Sequence, residues 1–549
     1  MSAQQAVNSG DTAWVLVCAG LVLFMTPGLA AFYGGMVRTR NVLAMLQQNM
    51  IALGVVSLTW VLVGYTIAFG DDAGSGLFGN LELFGLTDLK VPPAPNLHVV
   101  NGQVTIPTLA FVAFQMMFAV ITPALVTGAT AGRLRFAGWV VFLAIWSIVV
   151  YAPIAHWLWH PGGWLAKFGT QDWAGGLVVH ASAGAAVLAV LLVVGRRRDW
   201  PHTAAPPNSI PLTIVGAGIL WFGWFGFNGG DGLQADRLAA QAVINTHVAA
   251  AAAMLVWLAL ERVTDGHSTV VGGVSGAVAG LATVTPTAGY VNVLSAIAIG
   301  AIAGLVCHFA LRLKYLLRLD DALDVLAVHF VGGMLGTLLL GFFGNSGVNP
   351  LGADGLFLGG DGSLLWHQFV GVVTVVAFSF VLTWLIAAAI QALVGLRAPA
   401  ETQERLDQAQ QGADAYHLGG VTSLVAPGGP RRRPGPGAGQ PAPPPPGGQI
   451  RLVSALLEPN RVTNTGELRD ALLRAGAISV IVTDSAAATN EPVRRLLPRG
   501  YWQEQPLLAR LHVTVLVGGD AVRGVLDELD RLGARRADTY VQEAQRTMP

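Results

Sequence analysis

The sequence predicts an all-α polytopic membrane protein with eleven transmembrane helices, followed by an α+β domain. Of its 549 residues, 53% are apolar and 12% are charged, and the mean hydropathy is +0.56. This composition excludes an ordinary soluble protein. A bilayer-spanning helix needs roughly 20 mainly apolar residues. Eleven segments meet that requirement: 12–34, 47–70, 105–130, 136–158, 174–195, 209–229, 239–261, 268–285, 291–314, 325–344 and 365–393.

Basic residues set the predicted orientation, because loops rich in Lys and Arg stay in the cytoplasm. Such residues follow the odd-numbered spans: Arg38, Arg40, Arg133, Arg135, Arg196, Arg197, Arg198, Arg262, Arg312, Lys314 and Arg318. The other connections are poor in them, with Lys90, Lys167 and Arg237 as the main exceptions. We therefore expect a multi-pass protein of the cytoplasmic membrane, with its N-terminus outside and its C-terminus inside. Residues 1–13 contain no Lys or Arg, so the first span is expected to be an uncleaved helix.

Two histidines inside predicted spans share one local pattern. Asp172 precedes His180 by eight positions, and Asp321 precedes His329 by eight positions. A glycine follows each histidine four positions later, at Gly184 and Gly333. An imidazole in a lipid-spanning segment is costly, so its default interpretation is functional. With five spans per half, the halves would form a 5+5 inverted repeat plus one helix, with a site on its symmetry axis.

Aromatic residues cluster near the predicted outer ends of the spans. Phe114-Gln-Met-Met-Phe118 lies in span three, Trp159 ends span four, and the segment 224–231 closes span six. Aromatic faces can hold a small cation by roughly 0.5–2 kcal/mol each. Neutral imidazoles can then exchange hydrogen bonds with a small polar molecule. Nothing resembles a nucleophile triad or a phosphate loop, and the two histidines have no third metal ligand near them, so neither an enzyme nor a cofactor is expected.

At these motifs the chain resembles the ammonium transporter family (Amt/Mep/Rh) over about residues 10–416. Asp-x-Ala-Gly-Gly-x-Val-Val-His at 172–180 is similar to the signature of the family's fifth helix. Asp-Asp-x-x-Asp-Val-x-x-Val-His at 320–329 is similar to that of its tenth. The resemblance implies a homotrimer in membrane lipid, with one ammonium or ammonia pore per subunit.

The resemblance also implies roles for single residues. Phe118 and Trp159 would frame an external ammonium site, and Phe118 and Phe227 would form a stacked gate. Phe114 and Trp224 would lie nearby. His180 and His329 would be the paired pore histidines. Asp172 would shape the outer site.

Other interpretations of these residues stay open. The phenylalanines are also consistent with plain core residues, and Trp159 with an interfacial belt residue. Asp172 precedes span five as an N-cap would. Asp231 stands where the family often has Ser, and its carboxylate could strengthen cation capture or point into solvent.

The C-terminal quarter has a different composition. We expect a membrane domain over 1–400, a cytoplasmic segment over 401–422, a Pro/Gly-rich linker over 423–449 and a soluble domain over 450–549. Of the 64 charged residues, 25 lie in 450–549. Its predicted order is β-α-β-loop-β-α-β, which is ferredoxin-like. The predicted elements are strands Ile450–Leu457, Ile478–Thr483 and Leu511–Val517 and helices Gly466–Ala475 and Ala521–Leu532.

This domain resembles a PII signalling protein. Residues 451–459 are similar to the PII first strand, and Ser485–Ala509 stands where the long T-loop belongs. The resemblance implies a tethered regulator that can plug the channel. The Gly-Lys-rich phosphate-binding segment is missing, and only Arg535 and Arg536 stand there, so a nucleotide or other small-molecule effector is doubtful.

The predicted function is ammonium or ammonia transport through a hydrophobic pore, regulated by the PII-like domain. The alternative is an ammonium sensor that signals through that domain. The sequence leaves open whether the proton follows the neutral molecule, which would make transport electrogenic.

Overall fold

The structure is a computed structural model. It describes residues 7–87, 89, 104–198, 200–201, 206–416, 450–457, 471–472, 474–475, 477–484, 493–496, 502–505, 511–518, 522–531 and 539–543. The predicted linker 423–449, most of the predicted helix Gly466–Ala475, and Arg535 and Arg536 lie outside these residues. The chain divides into two compact units, Met1–Val425 and Ala426–Pro549.

The first unit is helical, and ten of its helices in the described residues are long and apolar enough to cross a membrane. They are Ser9–Met36, Thr39–Phe69, Thr108–Ala129, Phe136–Phe168, Gly176–Val194, Ile210–Gly229, Arg237–Thr264, Val293–Leu316, Leu326–Phe343 and Ser363–Leu393. The predicted span 268–285 is instead the helix Val270–Val284, whose 15 residues are fewer than a lone span needs. It ends next to Thr285-Pro286, where the proline disfavours continued helix. The count of eleven is therefore not confirmed.

Four stretches inside the spans are wound wider than an α-helix, as π-helix. They are Trp60–Gly64, Ser147–Tyr151, Gly176–Ala181 and Leu326–Val331. Wide turns of this kind are frequent at functional sites. Two of them contain the histidines singled out above. Short helices complete the unit: Thr39–Asn41, Phe84–Leu86, Val126–Ala129, Trp164–Phe168, Leu313–Leu316, Leu356–Leu358, Ala400–Gln403 and Leu406–Gln411.

Small residues allow the spans to pack closely, as helices do in lipid. Ser9–Met36 packs along Ile210–Gly229, where a side chain at Gly216 would collide with the backbone of Phe32. Gly176–Val194 packs along both Leu326–Phe343 and Ser363–Leu393. The spans that carry the two histidines are therefore direct neighbours in the core of the unit.

The second unit contains an antiparallel sheet. Its strands are β1 Ile450–Leu457, β2 Ala477–Asp484, β3 Val493–Leu496, β4 Trp502–Gln505, β5 Leu511–Gly518 and β6 Thr539–Glu543. The four long strands lie in the order β2-β5-β1-β6, with Val453 opposite Val515 and Val541. β3 and β4 form a separate hairpin within the predicted loop Ser485–Ala509. The helix Val522–Arg531 follows β5, as predicted, and buries Val525 and Leu529.

A buried ion-pair network closes the arginine-rich end of the first unit. The Asp320 carboxylate lies 3.4 Å from Arg133 and accepts from Arg197 at 2.6 Å, and the side chains of Arg133 and Asp320 are fully buried. Arg133 also donates to the carbonyl oxygens of Gly195 and Ala129. Burial raises the pKa of the Asp320 carboxyl, but the two arginines outweigh it and hold the pKa below its ordinary value.

We predict that Asp320→Asn destabilises the protein by about 3–5 kcal/mol, because it leaves the buried Arg133 charge unpaired. Since the folded-state pKa is lowered, this contribution is present at neutral pH and is lost only as pH falls through that pKa. Thermal unfolding of the detergent-purified protein, followed by tryptophan fluorescence, measures the effect. The matched control is Asp71→Asn, at an exposed carboxylate. Equal melting temperatures for both variants at neutral pH would contradict the prediction.

Candidate functional site

The two histidines meet in the core of the membrane unit. The Nδ1 atoms of His180 and His329 lie 3.2 Å apart, and their rings stack at 5.2 Å with an interplanar angle of 25°. Both side chains are buried. A hydrogen bond between the two Nδ1 atoms requires one to donate and the other to accept. The outward Nε2 atoms then have opposite character, one acceptor and one donor.

A carboxylate fixes the start of each histidine helix. Asp172 accepts four backbone N–H groups, from residues 175, 176, 177 and 178, at 2.6–3.0 Å. Asp321 accepts from Leu326 N–H at 2.7 Å in the other half. Because the first N–H groups of a helix lack intrahelical partners, a buried helix start needs such an acceptor. Asp172 is thus a helix cap. Burial raises its pKa, whereas the four donors act in the opposite direction.

The glycine four positions after each histidine lies where the two helices cross. A side chain at Gly333 would lie 2.7 Å from the His180 Cβ atom. A side chain at Gly184 would collide with Phe330, the residue after His329. Both positions leave no room for a methyl group, so glycine at each allows the two imidazoles to reach hydrogen-bonding distance.

Aromatic rings cover the histidine pair on one side. Phe118 and Phe227 lie 4.3 Å apart at an interplanar angle of 39°. Phe114 contacts Phe118 edge to face at 5.0 Å, and Trp159 does so at 5.7 Å. Each of these four side chains is at most 2% exposed. Trp159 is therefore part of the core of the chain, and its indole N–H donates to the carbonyl oxygen of Asp172 at 3.0 Å.

Trp224 links the ring cluster to the histidines. Its ring stacks on His180 at 5.6 Å and contacts Phe227 at 5.6 Å. Its indole N–H donates to the hydroxyl of Thr285 at 2.9 Å. Thr285 was not among the predicted site residues, and a lone threonine at a helix end carries no sequence signal that distinguishes it.

Asp231 is fully buried, so the interpretation that it points into solvent is wrong. Burial raises the pKa of its carboxyl well above the ordinary value, and the charge of Asp172 raises it further. The Gln115 amide acts on the same carboxyl in the opposite direction. Sequence reasoning did not single out Gln115, although a fully buried amide within Phe114-Gln-Met-Met-Phe118 is a usable signal.

Two cavities meet at the histidine pair. A narrow apolar cavity of about 10 Å³ touches Phe227, Trp224, His180 and His329. A space of this size is about the minimum that holds a single water molecule. A second cavity of about 230 Å³ also touches His329, and its lining includes Glu261, Asp265 and Asp324. We call this second cavity the inner vestibule. The described residues contain no group of three or more candidate metal ligands.

The site is therefore a continuous series of contacts. It runs from an aromatic cluster with a buried carboxyl through the tilted rings of Phe118 and Phe227 to a small apolar cavity, the histidine pair and the acidic inner vestibule. Every residue predicted for the site lies in this assembly: Phe114, Phe118, Trp159, Asp172, His180, Trp224, Phe227, Asp231 and His329.

Comparison with known proteins gives one result throughout. The family model for the Ammonium Transporter Family matches residues 13–416. The ammonium transporter of Mycobacterium tuberculosis strain H37Rv is 43% identical over 446 residues, which cover 76% of this chain and 93% of that protein.

Solved structures agree. The crystal structure of Saccharomyces cerevisiae Mep2 matches with a TM-score of 0.67 and 34% identity, over 72% of this chain and 89% of that chain. A structure described as a sensor Amt protein matches with a TM-score of 0.66 and 29% identity, over 73% of this chain and 98% of that one.

Proposed function

The chain belongs to the ammonium transporter family, and on that premise we propose how its buried site moves ammonium across a membrane. Transport of ammonium is its activity, and it is not an enzyme. The observation that carries the proposal is the histidine pair, which lines a small apolar cavity and, through His329, also contacts the acidic inner vestibule.

The aromatic cluster is the proposed entry site for the cation. Phe118, Trp159 and Asp231 would hold ammonium there by ring faces and one carboxylate. A full charge in a dry passage is expensive, so the cation gives up a proton before it passes the rings of Phe118 and Phe227. Potassium has no proton to surrender and would be excluded. Asp172 would shape this site indirectly, because its carboxylate caps the helix that carries His180.

The histidine pair then offers both kinds of hydrogen bond to a neutral guest. In the hydrogen bond between the two Nδ1 atoms, one ring donates and the other accepts. The Nε2 atom of the donating ring is therefore an acceptor, and the Nε2 atom of the other ring is a donor. Ammonia can donate and accept, so it finds a partner at either ring. The pair also forms a continuous hydrogen-bonded link between halves of the pore. That link gives a separated proton a route, which would make transport electrogenic.

We expect His180→Ala to lower ammonium transport by about tenfold or more, because it removes a polar partner from an apolar passage. Proteoliposomes that report current and internal pH together would detect electrogenic and electroneutral flux alike. His267→Gln, at an exposed histidine, is the matched control and should transport normally. Undiminished flux in folded His180→Ala protein would refute the proposed path.

Asp231 gives the entry site a predicted pH dependence. Its pKa is raised well above the ordinary value, so the carboxyl loses its charge at a higher pH than an ordinary carboxyl does. The half-saturation concentration for ammonium should therefore rise with falling pH, over a range in which ammonium itself stays protonated. At a pH where the Asp231 carboxyl is charged, Asp231→Ser should raise the half-saturation concentration by about tenfold, and it should remove this pH dependence.

The same flux assay measures the effect of Asp231. Asp236→Asn is the control, because Asp236 caps the next helix from an exposed position. A serine variant with the half-saturation concentration and pH response of the original protein would assign Asp231 a structural role instead.

We propose the cytoplasmic membrane as its location, with the arginine-rich end inside. Ala398 N–H donates to the Arg133 carbonyl, which ties the C-terminal segment to that same end. Exposed aliphatic side chains on the spans support contact with lipid, among them Leu58, Leu255 and Leu294. The proposed assembly is a homotrimer with one pore per subunit. Within each subunit, the linker 423–449 would divide the membrane domain from the soluble domain.

The second unit is proposed to be a ferredoxin-like, PII-like regulatory domain. The order β2-β5-β1-β6 supports it, because four antiparallel strands in that arrangement are typical of the ferredoxin-like fold. The hairpin of β3 and β4 lies between β2 and β5 in the chain, at the position of the expected T-loop. Its tether would raise its effective concentration near the pore.

An ammonium sensor is the second candidate, supported by the similarity to the sensor Amt protein. A chain ended at residue 425 separates the two functions. It retains every pore residue in one compact unit, so transport predicts ammonium flux equal to or above that of the full chain. Binding of ammonium without flux, in folded truncated protein, would favour the sensor.

A further inference from the structure

A third cavity lies beside the inner vestibule, and the charged residues that line it are mostly basic. It has a volume of about 370 Å³ and shares Met36 and Leu323 with the vestibule wall. Its lining contains one acidic residue, Glu404, and five arginines: Arg38, Arg40, Arg197, Arg198 and Arg397. We call it the arginine pocket. Ammonium is a cation, so transport gives no reason for this cluster.

The charge of the arginine pocket is poorly balanced within the protein. Arg197 pairs with Asp320, and Glu404 is the one acidic residue in the lining. Among the described residues, Arg40 and Arg198 form no ion pair, and both are exposed. Like charges gathered around one concave space repel each other unless an anion enters.

The walls of the pocket are held in place rather than loosely assembled. Arg197 grips the Asp320 carboxylate with its side chain and its backbone N–H. Arg397 donates to the Arg196 carbonyl at 2.8 Å. Three separate connections of the chain thus bring guanidinium groups to one cavity. Planar, forked guanidinium groups match the oxygens of phosphate better than any other side chain does.

The C-terminal segment forms one wall, through Arg397, Gln403 and Glu404. It is anchored nearby, because the Asp407 carboxylate accepts from Leu43 N–H and Ala44 N–H at the start of the second span. An anion in the pocket would therefore touch this segment and the connections around Arg40 and Arg198 at once.

We propose that the arginine pocket binds a phosphate-bearing anion and that its occupancy fastens the C-terminal segment beside the mouth of the pore. The cavity size suits a phosphate ester headgroup or a small soluble phosphate. Both sources present the same charged oxygens, and experiment can tell them apart. This inference does not depend on how ammonium crosses the pore.

The test measures anion binding to the purified full chain. In detergent, inorganic phosphate is titrated at constant ionic strength, and the melting temperature and heat of binding are recorded. In a parallel phosphate-free series, the protein is placed in phosphatidylcholine nanodiscs with or without phosphatidylglycerol. We expect saturable stabilisation in at least one series. Stabilisation in the first series would identify soluble phosphate as the ligand, and stabilisation in the second would identify a lipid headgroup.

The double variant Arg40→Gln/Arg198→Gln should weaken that binding by about tenfold or more. The double variant Arg40→Lys/Arg198→Lys keeps both positive charges but loses the forked guanidinium groups. Its affinity for the anion should lie between that of the glutamine variant and that of the original chain. Arg405→Gln removes an exposed arginine of the same segment outside the pocket and should bind normally. If the double variant does not fold, Arg40→Gln alone answers the question. Absence of stabilisation in both series, or equal binding by the glutamine variant and the original chain, would overturn the proposal.

Discussion

The structure depends on satisfying helix starts that no water can reach. The helices that carry His180 and His329 begin inside the unit, where a bare N–H group costs several kcal/mol. A single carboxylate solves this at each start, Asp172 for one half and Asp321 for the other. Both helices then begin as wide π-turns. The imidazoles take their positions from these turns, so the pore chemistry rests on two groups that need not touch the cargo.

Charge is distributed unequally between the two cavities at the arginine-rich end. The inner vestibule is lined by Glu261, Asp265 and Asp324, which suits a pore that releases or recovers a cation. The neighbouring arginine pocket has the opposite excess. The ion pairs of Asp320 hold Arg133 and Arg197 in fixed positions, and Arg197 lines the arginine pocket. Two ligands of opposite charge could therefore bind in the two neighbouring cavities without competing for one site.

Sequence patterns predicted much of this arrangement, and the reasons differ from element to element. Spans and histidines were predictable because lipid imposes a composition and makes each buried imidazole costly. The eleventh span, predicted over 268–285, is not confirmed, because the helix there, Val270–Val284, has only 15 residues and stops before Pro286. The orientation of the Asp231 side chain could not be predicted, because the sequence does not show whether a residue at a helix end faces solvent or the protein interior. Thr285 and Gln115 became visible only once their partners, Trp224 and Asp231, had positions.

Asp231 shows how one residue can change the chemistry beside a cluster of rings without changing the contacts among the rings. The contacts among Phe118, Phe227 and Trp159 need no carboxylate, and they close the entry side by themselves. A serine hydroxyl there would stay neutral at every physiological pH. A buried carboxyl instead changes charge with its surroundings, and a bound cation favours the charged form. At the proposed entry site, ammonium binding and proton release from Asp231 would be coupled by linkage, so the affinity for ammonium would follow the pH outside the pore.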